Sequence, residues 1–307
     1  MLNKENLYLS IMCLIFLLIS SVLTLAQNES PQQVNVGLYL LNMGKFDVAT
    51  GSFTADFYLS LKCPNNCSEP KFEFMNGRAA TIDKEIDLPR EKFYRIQANL
   101  NSPVDLKKFP FDSQEVQITL EDKEKTSREL QYVPLQKESG IDKSIVFTGW
   151  NIDGWRAEVK DHYYPVYDET YSQYVFTIDL SRIVLNSFLK TFLPVIFIML
   201  IVLGSFIIDP DKVATRLTMT GSSLVAAVMF HVSISNQIPP VGYLTFADQF
   251  MVLTYFVLLL SFIINITLLE LQERKHHELI EKIHRKTEFS MLIIVPLLYL
   301  VLFLFFL

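Results

Sequence analysis

Small hydroxyl side chains recur inside the apolar, helix-length run 211–240, DKVATRLTMTGSSLVAAVMFHVSISNQIPP. They are Thr215, Thr218, Thr220, Ser222, Ser223, Ser233 and Ser235. At about 3.6 residues per turn, Thr218, Ser222, Val225, Met229, Val232 and Asn236 fall on one stripe. That stripe is polar at its start, apolar in its middle and polar at its end. Facing a narrow water-filled axis, hydroxyls replace part of an ion's hydration and an apolar ring closes the path by dewetting. Facing other helices, the same hydroxyls would bond to their own backbone or to a neighbour. Both readings are open on the stripe alone.

A second group with chemical capacity is His162–Tyr174, HYYPVYDETYSQY. Tyr163, Tyr164, Tyr167, Tyr171 and Tyr174 crowd a hairpin with Asp168 and Glu169 near its tip. Aromatic faces with carboxylates suit an organic cation, although alternation must send some of these rings into a core. Glu121 closes an alternating run, 115–120, and is a further candidate for that site; Trp150 and Trp155 read as strand packing. His231 lies beside the stripe without being on it, a packing or pH-sensing residue. His276, His277 and His284 read as one solvated helix rather than a metal site. No GxGxxG, P-loop, HExxH or GxSxG occurs, so neither an enzyme nor a cofactor is expected.

Half of the 307 residues are hydrophobic, and they are segregated. Residues 1–26 combine Lys4, an apolar stretch and a small-residue end, which reads as a signal peptide cleaved near Ala26. Residues 27–182 carry short alternating runs such as 53–61, 115–120 and 174–180, broken by Gly and Pro, which argues for an all-β sandwich. Within 183–307, four segments are long enough to span a bilayer: about 184–208, 214–235, 249–269 and 289–307. The connection at about 270–288 holds Arg274, Lys275, Lys282, Arg285 and Lys286, whereas 237–248 holds no Lys or Arg. The positive-inside rule then makes 270–288 cytoplasmic and the sandwich extracytoplasmic, in a multi-pass protein of the cell membrane. Cys63 and Cys67 form a close pair able to bridge in an oxidising compartment. Acidic residues outnumber basic ones in the sandwich, which favours cations near it and argues against nucleic acid.

The segment 95–117, RIQANLNSPVDLKKFPFDSQEVQ, contains Phe109-Pro110-Phe111-Asp112. With TADFYLSLK (54–62), KFEFMNGR (71–78), Arg182 before the first span, Pro194 within it and Ser235-Asn-Gln-Ile-Pro239 after the second, the chain resembles the pentameric ligand-gated ion channels. The resemblance is to their prokaryotic branch: Ser102 and Val116 stand where animal members have a loop disulfide. It implies an extracellular β-sandwich followed by a four-helix transmembrane domain, assembled as a homopentamer in the lipid bilayer. Monovalent ions would pass along the second span, triggered by a small agonist, an amine or protons, bound between sandwiches near the tyrosine hairpin. It also implies gating coupling through Phe109, Pro110, Phe111, Asp112, Arg182, the turn at Asp47 and the linker at Pro239. The sequence itself permits an Arg182–Asp112 pair fixing the joint between the two parts. Ala214-Thr215-Arg216 lacks both the acid of cation-selective relatives and the Pro of anion-selective ones; the acidic sandwich leans towards cations. Anion selectivity and a non-conducting membrane-anchored receptor are the alternatives.

Overall fold

The computed structural model describes residues 30–67 and 71–306, so the expected signal peptide lies outside the described residues. Short strands form where apolar residues alternate. In β2 (Ser52–Lys62), Phe53, Ala55, Phe57, Leu59 and Leu61 turn inward. One sheet runs β4 (Gly77–Leu88), β5 (Glu91–Asn101), β2, β1 (Gln32–Met43) and β7 (Leu130–Pro134), with β8 (Gly140–Ile141) also on β1. The other runs β3 (Phe72–Phe74), β6 (Ser113–Asp122), β10 (Glu169–Arg182) and β9 (Trp150–Tyr164). Their inner faces share one core, in which Phe57, Ile96, Ile118, Phe176 and Ile178 are fully buried. Burying each such side chain is worth about 1.5–3 kcal/mol. Cys63 and Cys67 are bonded to each other just after β2.

The β1–β2 connection must turn tightly next to another strand end. Gly51 does this with φ of +71°, and a Cβ there would stand 2.1 Å from the Ser102 carbonyl oxygen. Gly51→Ala is therefore expected to destabilise the protein by more than ~1 kcal/mol, read as a lowered thermal midpoint. A midpoint equal to that of the unaltered protein would refute the steric argument.

After Arg182 the chain becomes helical: α1 (Val184–Thr191), α2 (Leu193–Ile207), α3 (Val213–Ser235), α4 (Phe246–Glu273) and α5 (His277–Phe306). Among the described residues three helical segments, Pro210–Ser235, Phe246–Glu273 and His277–Phe306, are long and apolar enough to cross a membrane. The expected first span, 184–208, is instead broken: α1 and α2 meet at 44° and count as a fourth span only if taken together. The cause is Pro194, which has no N–H to give and whose ring would clash with the carbonyl four residues back. The chain breaks at Phe192 and restarts with the proline in the first turn of α2, where its missing donor costs nothing. The basic segment 270–288 is taken up by the ends of α4 and α5, joined by a tight turn at Lys275 with φ of 60°.

Candidate functional site

Three clusters hold the residues singled out above. The first is the joint between sandwich and helices. Arg182 ends β10 and meets Asp112 in a two-pronged pair: Nε donates to Oδ1 at 2.7 Å and Nη2 to Oδ2 at 3.0 Å. The Asp112 side chain is 1% exposed, so the pair is shielded from water. The guanidinium lies 4.3 Å from the Trp150 ring centre and 5.1 Å from that of Phe109. Gln114 Nε2 donates to the same carboxylate at 2.7 Å and also to the Asp105 carbonyl at 2.7 Å, bracing the loop before it.

That loop carries the Phe-Pro-Phe-Asp signature, with a cis bond at Phe109–Pro110. Phe111 stacks on Phe192 at the α1–α2 break, ring centres 5.6 Å apart, and also meets Phe246 and Phe303. A helix start leaves N–H groups without partners. In α4 the loop supplies them: Phe246 N donates to the Lys107 carbonyl at 2.9 Å and Ala247 N to the Phe109 carbonyl at 3.0 Å. Tyr243 Oη accepts from Leu106 N at 2.9 Å.

The resemblance implies that this loop and the turn Asp47–Ser52 press on the linker Pro239–Tyr243. The loop's hydrogen bonds go to Tyr243, at the end of that linker, and to the start of α4. The Asp47 carboxylate is committed to its own turn, accepting from Ala49 N at 2.9 Å and Thr50 Oγ1 at 3.1 Å. Its neighbour Val48, like Val104, packs against both the sandwich core and the helix core.

The second cluster is α3. Thr218, Ser222, Val225, Met229, Val232 and Asn236 are all exposed, the middle three at 63%, 67% and 53%. The opposite face, with Val213, Arg216, Thr220, Ser223, Ala227 and Ile234, is buried against the other helices. Thr218 Oγ1 donates to the Ala214 carbonyl at 2.9 Å and Ser222 Oγ to that of Thr218 at 2.8 Å. These self-bonds are the alternative use of a hydroxyl, yet here they leave oxygen lone pairs pointing outward. By contrast, α5 exposes Ile293, Leu297, Leu300, Val301 and Leu304, a face suited to lipid tails.

His231, beside the stripe, ties α3 to α4. Its Nδ1 pairs with Tyr255 Oη at 2.9 Å and its Nε2 with Asp248 Oδ1 at 3.3 Å. Asp248 also caps α4, its Oδ2 accepting from Thr245 N at 2.9 Å. A continuous route therefore runs from the Phe109 carbonyl through the first turn of α4 to the flank of α3.

The third cluster is the β9–β10 hairpin. Tyr163 and Tyr167 are exposed, and Tyr163 Oη donates to Asp168 at 3.0 Å, while Tyr171 Oη donates to Glu169 at 2.8 Å. Tyr174 does not belong with them. It is fully buried in the sandwich core, because strand alternation sends it to the face opposite Tyr171. The centre of the remaining group is Glu121, a buried carboxylate. It is 2.9 Å from His162 Nδ1, accepts from Tyr164 Oη at 2.9 Å and accepts from Gln173 Nε2 at 3.1 Å. Burial and this carboxylate push the Tyr164 hydroxyl up to about 12. His162 and Gln173 are partners that residue type alone does not single out, although both lie at even spacing from Tyr164 and Tyr171 on their strands.

No family model matches the chain. A proton-gated ion channel of Gloeobacter violaceus is 22% identical over 253 residues, 74% of this chain and 70% of that protein. The pH-sensitive chloride channel 2 of Drosophila melanogaster is 28% identical over 172 residues, 53% of this chain and 33% of that protein. Both relatives are ion channels by name, and the likeness supports the resemblance read from the sequence, that to the pentameric ligand-gated ion channels.

Proposed function

We propose that the chain is one subunit of a homopentameric ligand-gated ion channel in the cell membrane. Its sandwich stands outside the cytoplasm, four spans cross the bilayer, and α3 lines the pore. The observation that carries this reading is the exposed stripe on α3. It is the face turned away from the subunit's own bundle, and hydroxyls and an amide flank its apolar middle. One helix encloses nothing, so the stripe requires several copies around an axis. Val225, Met229 and Val232 form the closing ring, and Thr218 and Ser222 offer oxygens to a passing ion, which favours cations.

The trigger is acid, sensed at the hairpin. The candidate sensor is the group in which His162, Tyr164 and Gln173 of β9 and β10 converge on the buried Glu121 carboxylate of β6. The names of the two relatives, proton-gated and pH-sensitive, support this over an amine. Strain at the β10 end reaches Arg182 and then α4 and His231. A tilt of α3 follows by differential stability of the two states.

The test is current across a bilayer holding purified protein under a salt gradient, with pH stepped and small amines added. Current that appears on acidification supports the reading, and its reversal potential identifies the permeant charge. Persistent silence, with pentamers verified and with Val225 made polar, favours a non-conducting receptor. Glu121→Ala removes the acceptor shared by His162, Tyr164 and Gln173. It should abolish the acid response while leaving intact the leak created by a polar residue at Val225. An unchanged acid response in that background would exclude the hairpin as the sensor.

A further inference from the structure

The buried face of α3 carries a charge that no carboxylate among the described residues meets directly. Arg216 is 0% exposed and is the largest fully buried side chain among the described residues. Its Nη1 donates to His284 Nδ1 of α5 at 3.4 Å, and its guanidinium carbon lies 5.3 Å from the centre of the Phe206 ring of α2. Nε and Nη2 have no hydrogen-bond partner. Among the described residues no carboxylate comes within ion-pairing distance of it. Glu288, about one turn further along α5 from His284, approaches the far nitrogen of that imidazole at 4.0 Å and acts on Arg216 only from a distance.

A second orphan lies nearby in depth. Asn265 of α4 is 0% exposed, and neither its amide nitrogen nor its oxygen has a partner. The helices α3 and α4 run antiparallel, with His231 against Tyr255 at one end and Gln272 Nε2 reaching the Asp211 carbonyl at the other. That register puts Arg216 and Asn265 within about one helical turn of each other in depth, both turned into the bundle. Buried polar groups in native proteins are nearly always satisfied, and an orphan marks a water or an ion. Water would meet the hydrogen bonds but place no negative charge in contact with the guanidinium, which Glu288 reaches only through space. A buried guanidinium with no counter-charge in contact is a costly arrangement for a fold to hold.

We propose that each subunit binds a small monovalent anion of the chloride class inside its helix bundle, held by Arg216 Nε and Nη2 and by Asn265 Nδ2. The site is on the face of α3 opposite the Thr218–Ser222 stripe, so the ion is resident rather than permeant. It does not depend on the channel reading. Its task is to fasten the end of α3 farthest from the sandwich to α4 and α5. Full burial leaves no opening for a lipid headgroup, whose phosphate cannot be enclosed without its glycerol.

The experiment is thermal unfolding of the full chain in nanodiscs of neutral lipid, with chloride replaced stepwise by gluconate at constant ionic strength. The midpoint should rise steadily as chloride increases over about a hundredfold range, as binding to the folded state requires. Asn265→Leu, which fills the position with an apolar side chain, should fold to the same oligomer and lose much of that dependence. Bromide-soaked crystals should show an anomalous peak beside Arg216. A midpoint indifferent to chloride overturns the site. So does a midpoint that responds only to added anionic lipid, or one that is chloride-independent but collapses in Glu288→Gln, which would make that carboxylate the counter-charge.

Discussion

Arg182→Gln is expected to lower the stability of the protein by about 3–5 kcal/mol, the usual cost of stranding one member of a buried ion pair. The reason lies in what remains. Asp112, with its side chain 1% exposed, is left with only Gln114 as a side-chain donor, in a site shielded from water. The variant also removes a guanidinium packed between Trp150 and Phe109, so the two rings lose their shared partner. Arg182→Lys separates these contributions. It retains the charge but makes a single point contact and does not stack, so its midpoint should fall between those of Gln and the unaltered protein. Because the pair sits at the only covalent crossing from β10 into α1, any Gln variant that folds should also respond weakly to the trigger. Thermal unfolding followed by current recording reads both effects. A Gln variant that melts with the unaltered protein would mean that the pair is dispensable and that the joint is held by the aromatic cluster around Phe192.

The joint illustrates what residue types disclose and what they do not. Arg182 and Asp112 stand out because a charge at a predicted domain boundary needs a partner, and Gln114 sits two residues on, hence on the same strand face as Asp112. The docking of α4 onto the Lys107 and Phe109 carbonyls is invisible beforehand, since it uses backbone groups whose location depends on how the loop folds. The bend at Phe192 is implicit in Pro194, yet a hydropathy window passes straight over it. Residue type groups Tyr174 with its neighbours; only its strand parity separates it from Tyr171. Arg216 is the hardest case. A basic residue near the end of an apolar run normally reaches for water or headgroups, and here it is folded inward instead, against Phe206 and His284. The stripe on α3 was legible because its six residues keep helical spacing and their exposure follows from the burial of the opposite face.

Val225→Ser should produce a standing current at neutral pH, comparable in size with the triggered current of the unaltered protein. In the proposed pore the closed state depends on a ring of apolar side chains too narrow and too dry for a hydrated ion. A hydroxyl on every copy lets water remain in that ring, and the barrier falls without any movement of α3. Ala227→Leu, two residues further along, is the contrasting change. Ala227 is fully buried on the opposite face, so added bulk there should cost about 1–3 kcal/mol through overpacking against the neighbouring helices and should create no leak. The pair of outcomes depends on which way α3 is turned, which neither composition nor hydropathy determines. Leak from the Val225 variant with stability intact, and lost stability without leak from the Ala227 variant, would fit only a helix whose exposed stripe lines the ion path. If both variants close normally and only Ala227→Leu is unstable, the stripe faces lipid or another protein, and the conducting reading fails at its central residue.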